Sequence, residues 1–281
     1  MDMLKGMNQA LNYIEENLDN TIDLNEVATR AFCSEYQFKR LFAFLSGITI
    51  SEYIRRRRLT LAALELKDSQ VKIIDIALKY GYQSPDAFSR AFQNYHGVTP
   101  SVSRKPQQTV KAYPRMTFQL TIQGGNEMNY RIVEKAAFKV VGVKYEVEMV
   151  DEILSPTYEN MITSISDAKM SELESFSNHE PSGIVHVSAN YSESSDGKAT
   201  FNQYIGAVTT EENDDYSTLE VPALTWAIFE VEGDWLQVEK HWQRIYSEWL
   251  PTSSYELIEG GPEILASKDH KSEIWVSIKK K

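Results

Sequence analysis

The sequence predicts an all-α N-terminal domain with two helix-turn-helix units, followed by an α+β domain of two strand-helix-strand-strand modules. Three observations carry this expectation. A helix-turn-helix pattern at Val27–Phe42 is echoed at Ile76–Phe92. After Arg104 comes a stretch with two prolines and no helical stripe. Beyond it, strands of period-two alternation and amphipathic helices recur twice in the same order.

The first helix is written in DMLKGMNQALNYIEENL, where Leu4, Met7, Leu11, Ile14 and Leu18 form one apolar stripe. Asp23-Leu24-Asn25-Glu26 then has capping-box spacing, so a second helix should start near Leu24, with the glutamate reaching back. In the repeat, VATRAFCSEYQFKRLF aligns with IALKYGYQSPDAFSRAF, the second copy being one turn residue longer. A close helix crossing favours the small Ala28 and Ala77. Gly81 suits the turn, whereas Phe32 in the same place is a poor turn residue. Ser34, with Gln37 at the capping-box partner position, starts one second helix; Ser84, followed by Pro85 and Asp86, starts the other. SEYIRRRRLTLAALELK reads as a helix from Ser51 to Lys67 joining the two units. Its run Arg55–Arg58 points around most of a helix, so at most two of the four can face one partner. Phe38, Phe42, Phe88 and Phe92, at i, i+4 spacing, are expected in the core.

RKPQQTVKAYPRM reads as a flexible linker. TFQLTIQGGNEMNYRIVE predicts a hairpin around Gly124-Gly125-Asn126. The first module is then FKVVGVKYEVEM, a helix near 156–169, GIVHVSANY and FNQYIGAVT. The second is ALTWAIFEVEG, a helix from Asp234 to Trp249, PEILAS and SEIWVSIK. Such a duplication packs into an α+β domain with a cleft between its halves. The expected division is 1–106, a linker at 107–117, and 118–281. Trp235, Trp242, Ile245 and Trp249 recur at helical spacing and read as core. On the strand carrying Trp226, that residue and Ile228 share one face while Ala227, Phe229 and Val231 share the other, so both faces should be buried.

The chain has 281 residues and a formal net charge of −11. Residues 1–110 carry 14 Lys and Arg against 12 Asp and Glu, leaving 15 against 28 for the rest of a chain that has 29 and 40. The acidity therefore belongs to the second half and should keep that half off DNA. The single cysteine, Cys33, excludes an internal disulfide or a multi-thiolate zinc site. The five histidines lack paired metal-ligand spacing, so neither a metal nor a cofactor is expected. No nucleophile elbow or phosphate loop is present, no catalytic residue can be placed, and an enzyme is not the expectation. Without a membrane-length apolar run or a signal pattern, the expectation is a cytoplasmic protein with no membrane partner.

IDIALKYGYQSPDAFSRAFQNYHGVTPSVSR resembles the signature of the AraC/XylS family of bacterial transcription regulators, through Ile76-Ala77, Gly81-Tyr82, Phe88-Ser89-Arg90, Phe92, Gly97, Thr99-Pro100 and Arg104. It departs at Ser103, where an aromatic is usual, and at Phe32. The resemblance implies two reading helices entering successive major grooves of double-stranded promoter DNA, with RNA polymerase as a further partner. It places Tyr36, Gln37, Lys39 and Arg40 of the first unit, and Pro85, Asp86, Ser89 and Arg90 of the second, against bases or backbone. Lys39, Arg40 and Arg90 can donate to guanine or phosphate, while Asp86 can only accept, for instance from cytosine.

The second half resembles the GyrI-like small-molecule-binding domain through MNYRIVEKAAFKVVGVKY, YIGAV, PALTWAIFEVEGD, IYSEWLPTSSYELIEGGPEI and SEIWVSIK. That resemblance implies an aromatic pocket between the modules, often with a buried acid for an apolar cation. Tyr145, Tyr204, Trp226 and Trp275 are the aromatic candidates. The usual pocket glutamate is replaced here by Leu265, leaving Glu230 and Glu263 as substitutes by proximity only and a neutral amphipathic ligand, or none, open. The expected function is a sequence-specific regulator whose second domain binds a small amphipathic effector. The alternative is a module that sequesters or hydrolyses small molecules, with DNA binding secondary.

Overall fold

The computed structural model describes residues 3–68, 70–119, 127–149, 160–161, 163–193, 199–268 and 271–281. The chain forms two compact units, one of residues 1–38 and 50–121, the other of residues 39–49 and 122–281.

The first unit is helical: α1 (Met3–Glu16), α2 (Leu24–Arg30), the first turn of α3 (Glu35–Ser46), α4 (Ile50–Asp68), α5 (Ile73–Lys79), α6 (Pro85–His96) and α7 (Pro100–Ser103). The apolar stripe of α1 is buried at Met7, Leu11 and Ile14, as its spacing requires. Leu59, Ala62, Ala63 and Leu66 of α4 pack with Ile76, Ala77 and Tyr80 of α5 and with Phe88 and Phe92 of α6. All four phenylalanines expected in the core are fully buried.

The repeat is visible in the backbone. The Cys33 amide donates to the Ala28 carbonyl (3.2 Å) and the Tyr82 amide to the Ala77 carbonyl (2.9 Å). The residue before each donor is left-handed, Phe32 with φ 59° and Gly81 with φ 83°. Phe32 pays the steric cost of that region, which glycine avoids, and the residue is 49% exposed. The extra residue of the second copy is Gln83, inserted between the turn and Ser84. The cap hydroxyls then do the same job, Ser34 Oγ accepting from the Gln37 amide and Ser84 Oγ from the Ala87 amide, each at 3.2 Å. At α2 the Asp23 carboxylate caps the Asn25 amide (2.9 Å), but Glu26 does not reach back. It pairs with Arg30 one turn on (2.9 Å).

The four arginines of α4 all have internal partners. Arg55 and Arg56 share Glu52, Arg57 pairs with Glu15 (2.7 Å), and Arg58 donates to the carbonyls of Leu18 and Asn20. Their desolvated carboxylates and carbonyls make them braces of the helical scaffold.

The stretch after Arg104 is extended but is not a loose tether. Lys67 Nζ donates to the Gln108 carbonyl, the Lys111 amide to His96 Nδ1, the Tyr113 amide to Thr60 Oγ1 and the Met116 amide to the Tyr53 hydroxyl. Asn8 closes the series with a reciprocal pair to the Phe118 backbone, both bonds 2.9 Å. Two prolines prevent a helix here, and side chains of α1, α4 and α6 satisfy the strand-like backbone instead.

His96 gives this strap a pH dependence. Its Nε2 meets the Leu59 carbonyl (3.1 Å) while Nδ1 accepts from Lys111, which requires the neutral ring. Burial holds its pKa below the usual 6.5, partly opposed by the bond to Leu59. The unfolded chain therefore takes up the proton first as pH falls, so the stability is present above the unfolded pKa and is lost as pH drops toward the folded one. Wild type should lose thermal stability between about pH 7 and pH 5, and His96→Gln should flatten that slope. An unchanged slope in the variant would exclude His96 as the titrating group.

Among the described residues the second unit is built on one antiparallel sheet of nine strands: β1 (Tyr130–Lys135), β2 (Phe138–Met149), β3 (Ile184–Glu193), β4 (Ala199–Thr209), β5 (Ser217–Val221), β6 (Leu224–Glu232), β7 (Tyr255–Leu257), β8 (Glu263–Lys268) and β9 (Lys271–Lys280). The order is β1-β6-β9-β8-β3-β4-β2-β5, with β7 on β9. Strands β5 and β7 were not anticipated; both are short and lack clear alternation. The expected hairpin at Gly124-Gly125-Asn126 lies outside the described residues, as do 156–159 and 162 of the helix expected near 156–169, of which 160, 161 and 163 are helical. A further helix, α8 (Asp167–Ser175), follows, capped by Ser166. The expected helix from Asp234 begins as α9 (Trp235–Arg244), continues as a π-helical stretch (Ile245–Trp249) and ends as α10 (Leu250–Thr252). Ile245, Tyr246, Trp249 and Leu250 are buried, whereas Trp235, read as core, is 53% exposed at the helix start. Trp249 meets Phe229 edge-on (5.0 Å), which fixes this segment over the Phe229 face of the sheet.

Candidate DNA-reading and ligand-binding residues

On α6, Asp86 and Arg90 are exposed and lie one turn apart, while Pro85 and Ser89 beside them are half-buried. The Ser84 cap and the proline at the first helical position fix where this face begins. Gly97, left-handed with φ 79°, ends the helix. Among the described residues, neither Asp86 nor Arg90 is held in scaffolding of the kind that holds the arginines of α4.

The first copy is displayed differently. Tyr36 and Lys39 are half-buried. Gln37 is only 3% exposed and its Oε1 has no hydrogen-bond partner among the described residues. Arg40 lies in the part of α3 that belongs to the second unit, where its side chain is 17% exposed.

Strand register separates the six candidate ligand residues onto two faces. Directly paired residues share a face, and the pairs Val187↔Tyr204, Val187↔Ile264, Ile264↔Trp275 and Ile228↔Trp275 put Tyr204, Trp226 and Trp275 together. These three join Phe138, Val185 and Val208 in one buried cluster, Trp226 meeting Trp275 edge-on at 5.8 Å. They are core side chains here, and burial raises the Tyr204 pKa. The indole Nε1 of Trp226 is buried without a hydrogen-bond partner among the described residues. Glu230, at the end of the same face, is exposed and bridged through Arg131 to Glu273, at 2.9 and 2.6 Å.

Tyr145 and Glu263 project from the opposite face, through the pairs Tyr145↔Gln203, Ser188↔Gln203 and Ser188↔Glu263. The Tyr145 hydroxyl meets Ser164 Oγ at 3.0 Å. Leu265, where the resemblance leads one to expect an acid, is buried opposite His186. Burial lowers the His186 pKa, and its Nδ1 has no partner among the described residues.

Glu263 is the centre of a polar cluster on this face. Its side chain is 12% exposed, and both oxygens accept from Arg40 Nη2, at 2.8 and 2.7 Å. The Tyr246 hydroxyl donates to Glu263 and accepts from Arg40 (3.2 Å). The guanidinium lies 4.7 Å from the Tyr191 ring centre and 6.0 Å from that of Tyr246, and Phe44 stacks on Tyr246 at 4.6 Å. Tyr191, Tyr246 and Phe44 were missed as site residues. Tyr191 lies within the register shift between Ala189 and Ser192, and Tyr246 lies in the π-helical stretch, so simple periodicity predicts neither orientation. Among the described residues no group of three His, Cys, Asp or Glu could hold a metal, and no helix is long and apolar enough to cross a membrane.

Residues 128–279 match the GyrI-like small molecule binding domain, and residues 27–106 match a helix-turn-helix domain. The chain is 44% identical over 93 residues to the transposon Tn10 TetD protein of Escherichia coli, covering 33% of this chain and 67% of that one. It is 38% identical over 98 residues to the HTH-type transcriptional activator AarP of Providencia stuartii, covering 35% and 73%. Against the regulatory protein SoxS of Escherichia coli strain K12 it is 36% identical over 101 residues, covering 36% and 94%. With both halves matched, the chain belongs to the AraC family of helix-turn-helix DNA-binding transcription regulators and carries a GyrI-like small-molecule-binding domain.

Proposed function

We propose that residues 1–106 read double-stranded promoter DNA, that 107–117 connect, and that 118–281, as two strand-helix-strand-strand modules, bind an amphipathic effector that changes promoter control. The observation that carries the DNA part is the exposed face of α6, where Asp86 and Arg90 stand one turn apart after a firmly capped start. Arg90 suits guanine or phosphate, and Asp86 suits a cytosine amino group. The effector acts by binding more tightly to one of two arrangements of the protein, since equal affinity would shift nothing. RNA polymerase is the partner through which a bound regulator would act. A non-catalytic role is supported by relatives that are themselves described as regulators.

The test is selection of duplexes from a randomised pool by the purified chain, followed by anisotropy titrations. Arg90→Ala should weaken binding to the selected duplex by about 10- to 100-fold, the range for loss of one base-reading arginine, and relax preference at one position. Failure of the pool to enrich, or a variant that binds as wild type does, would overturn this reading of α6.

A further inference from the structure

Arg40 is committed to two incompatible tasks. As a reading side chain it needs its N–H groups for guanine or phosphate. In the second unit its Nη2 is already spent on both oxygens of Glu263 and on the Tyr246 hydroxyl, with an aromatic ring against the guanidinium. A charge-assisted pair, largely out of water and beside aromatic faces, is among the stronger side-chain contacts a protein makes. No arginine so held can reach a base edge. Gln37, one turn earlier, is also buried, and its Oε1 has no partner among the described residues. A buried amide oxygen without a donor is costly, and display on DNA would relieve it.

The cluster also has the chemistry of a receptor. An acid with a hydroxyl donor on one oxygen, walled by Tyr191 and Tyr246, accepts a planar delocalised cation, and Arg40 is such a cation. We propose that Arg40 is the resident occupant of a guanidinium site formed by Glu263, Tyr246 and Tyr191, so that occupancy of this site by Arg40 and DNA reading by α3 exclude each other. An effector bearing a guanidinium or amidinium group displaces Arg40 and releases it for DNA. This rests on the reading of α3 as a DNA-reading helix and of the second half as the effector domain.

Two readouts on the full chain test it. Phenylguanidinium is titrated against wild type, Arg40→Ala, Glu263→Gln and the double variant by calorimetry. Arg40→Ala should bind the probe at least about 10-fold more tightly than wild type, as expected when a competing internal ligand is removed; Glu263→Gln should abolish binding in both backgrounds. Equal affinity of wild type and Arg40→Ala, or no binding by either, overturns the proposal. Arg40→Gln, which keeps a polar side chain, repeats the test should the alanine variant fold poorly. In the second readout Glu263→Gln should bind the selected duplex several-fold more tightly than wild type, and only when Arg40 is present. A pair that merely holds the fold would give no such gain, and its absence overturns the exclusion. The two failures are separable: loss of the probe result with the Arg90 effect intact removes this inference alone, while failure of any duplex to be selected removes the DNA reading.

Discussion

Alanine at Gly206 is expected to destabilise the second unit by about 3 kcal/mol or more, the upper range for overpacking a closed interior. Gly206 of β4 faces Gly142 of β2 in the sheet. A Cβ at position 206 would stand 2.0 Å from the Val141 carbonyl oxygen and 2.6 Å from the Gly142 Cα, and one at 142 would stand 2.3 Å from the Ile205 oxygen. These obstacles are backbone atoms in paired strands, so relief requires parting β2 from β4. The five tryptophans all lie beyond residue 225, so their fluorescence reports on this unit in urea unfolding. Gly260→Ala is the comparison: its φ is 66°, but nothing lies within 4 Å of the added carbon, so it should lose only the roughly 1 kcal/mol of a left-handed alanine. A Gly206 variant no less stable than the Gly260 variant would show that the strands can separate at little cost.

Glu15→Ala should cost the first unit about 3 kcal/mol, the lower end for removing one partner of a buried ion pair. Glu15 is 9% exposed and its partner Arg57 12%. The carboxylate accepts two further bonds from Arg57 Nε and one from the Tyr53 hydroxyl (2.7 Å), while Arg57 Nη1 holds the Tyr113 carbonyl (2.6 Å). The bond to Glu15 raises the Arg57 pKa and, after burial, is the next cause raising that of Tyr53. Removing the carboxylate strands a guanidinium and a phenol and loosens the strap at Tyr113 and Met116. Far-UV circular dichroism during urea unfolding reads this helical unit. Glu26→Ala, which breaks an exposed pair with Arg30, should change stability by less than about 0.5 kcal/mol. Comparable losses in the two variants would mean that the Glu15 network is no better shielded from water than the surface pair.

By itself the sequence determined the elements whose causes are local. The stripe of α1, the Ser34 and Ser84 caps, the duplicated alanine and turn, and the alternating strands of β2, β3, β4 and β6 each depend on residues within a few positions of one another. The family followed from the same short patterns. Tertiary structure alone decided what the charged and aromatic side chains are for. The Arg55–Arg58 run became bracing because Glu15, Leu18 and Asn20 fold back onto α4. Trp226, Trp275 and Tyr204 went to one face of the sheet and Glu263 to the other because one step of register reverses every side chain. Arg40 found a carboxylate 223 residues away. Periodicity tells which side of an element is apolar, but the partner of a charge depends on which distant backbone arrives beside it, and only packing supplies that.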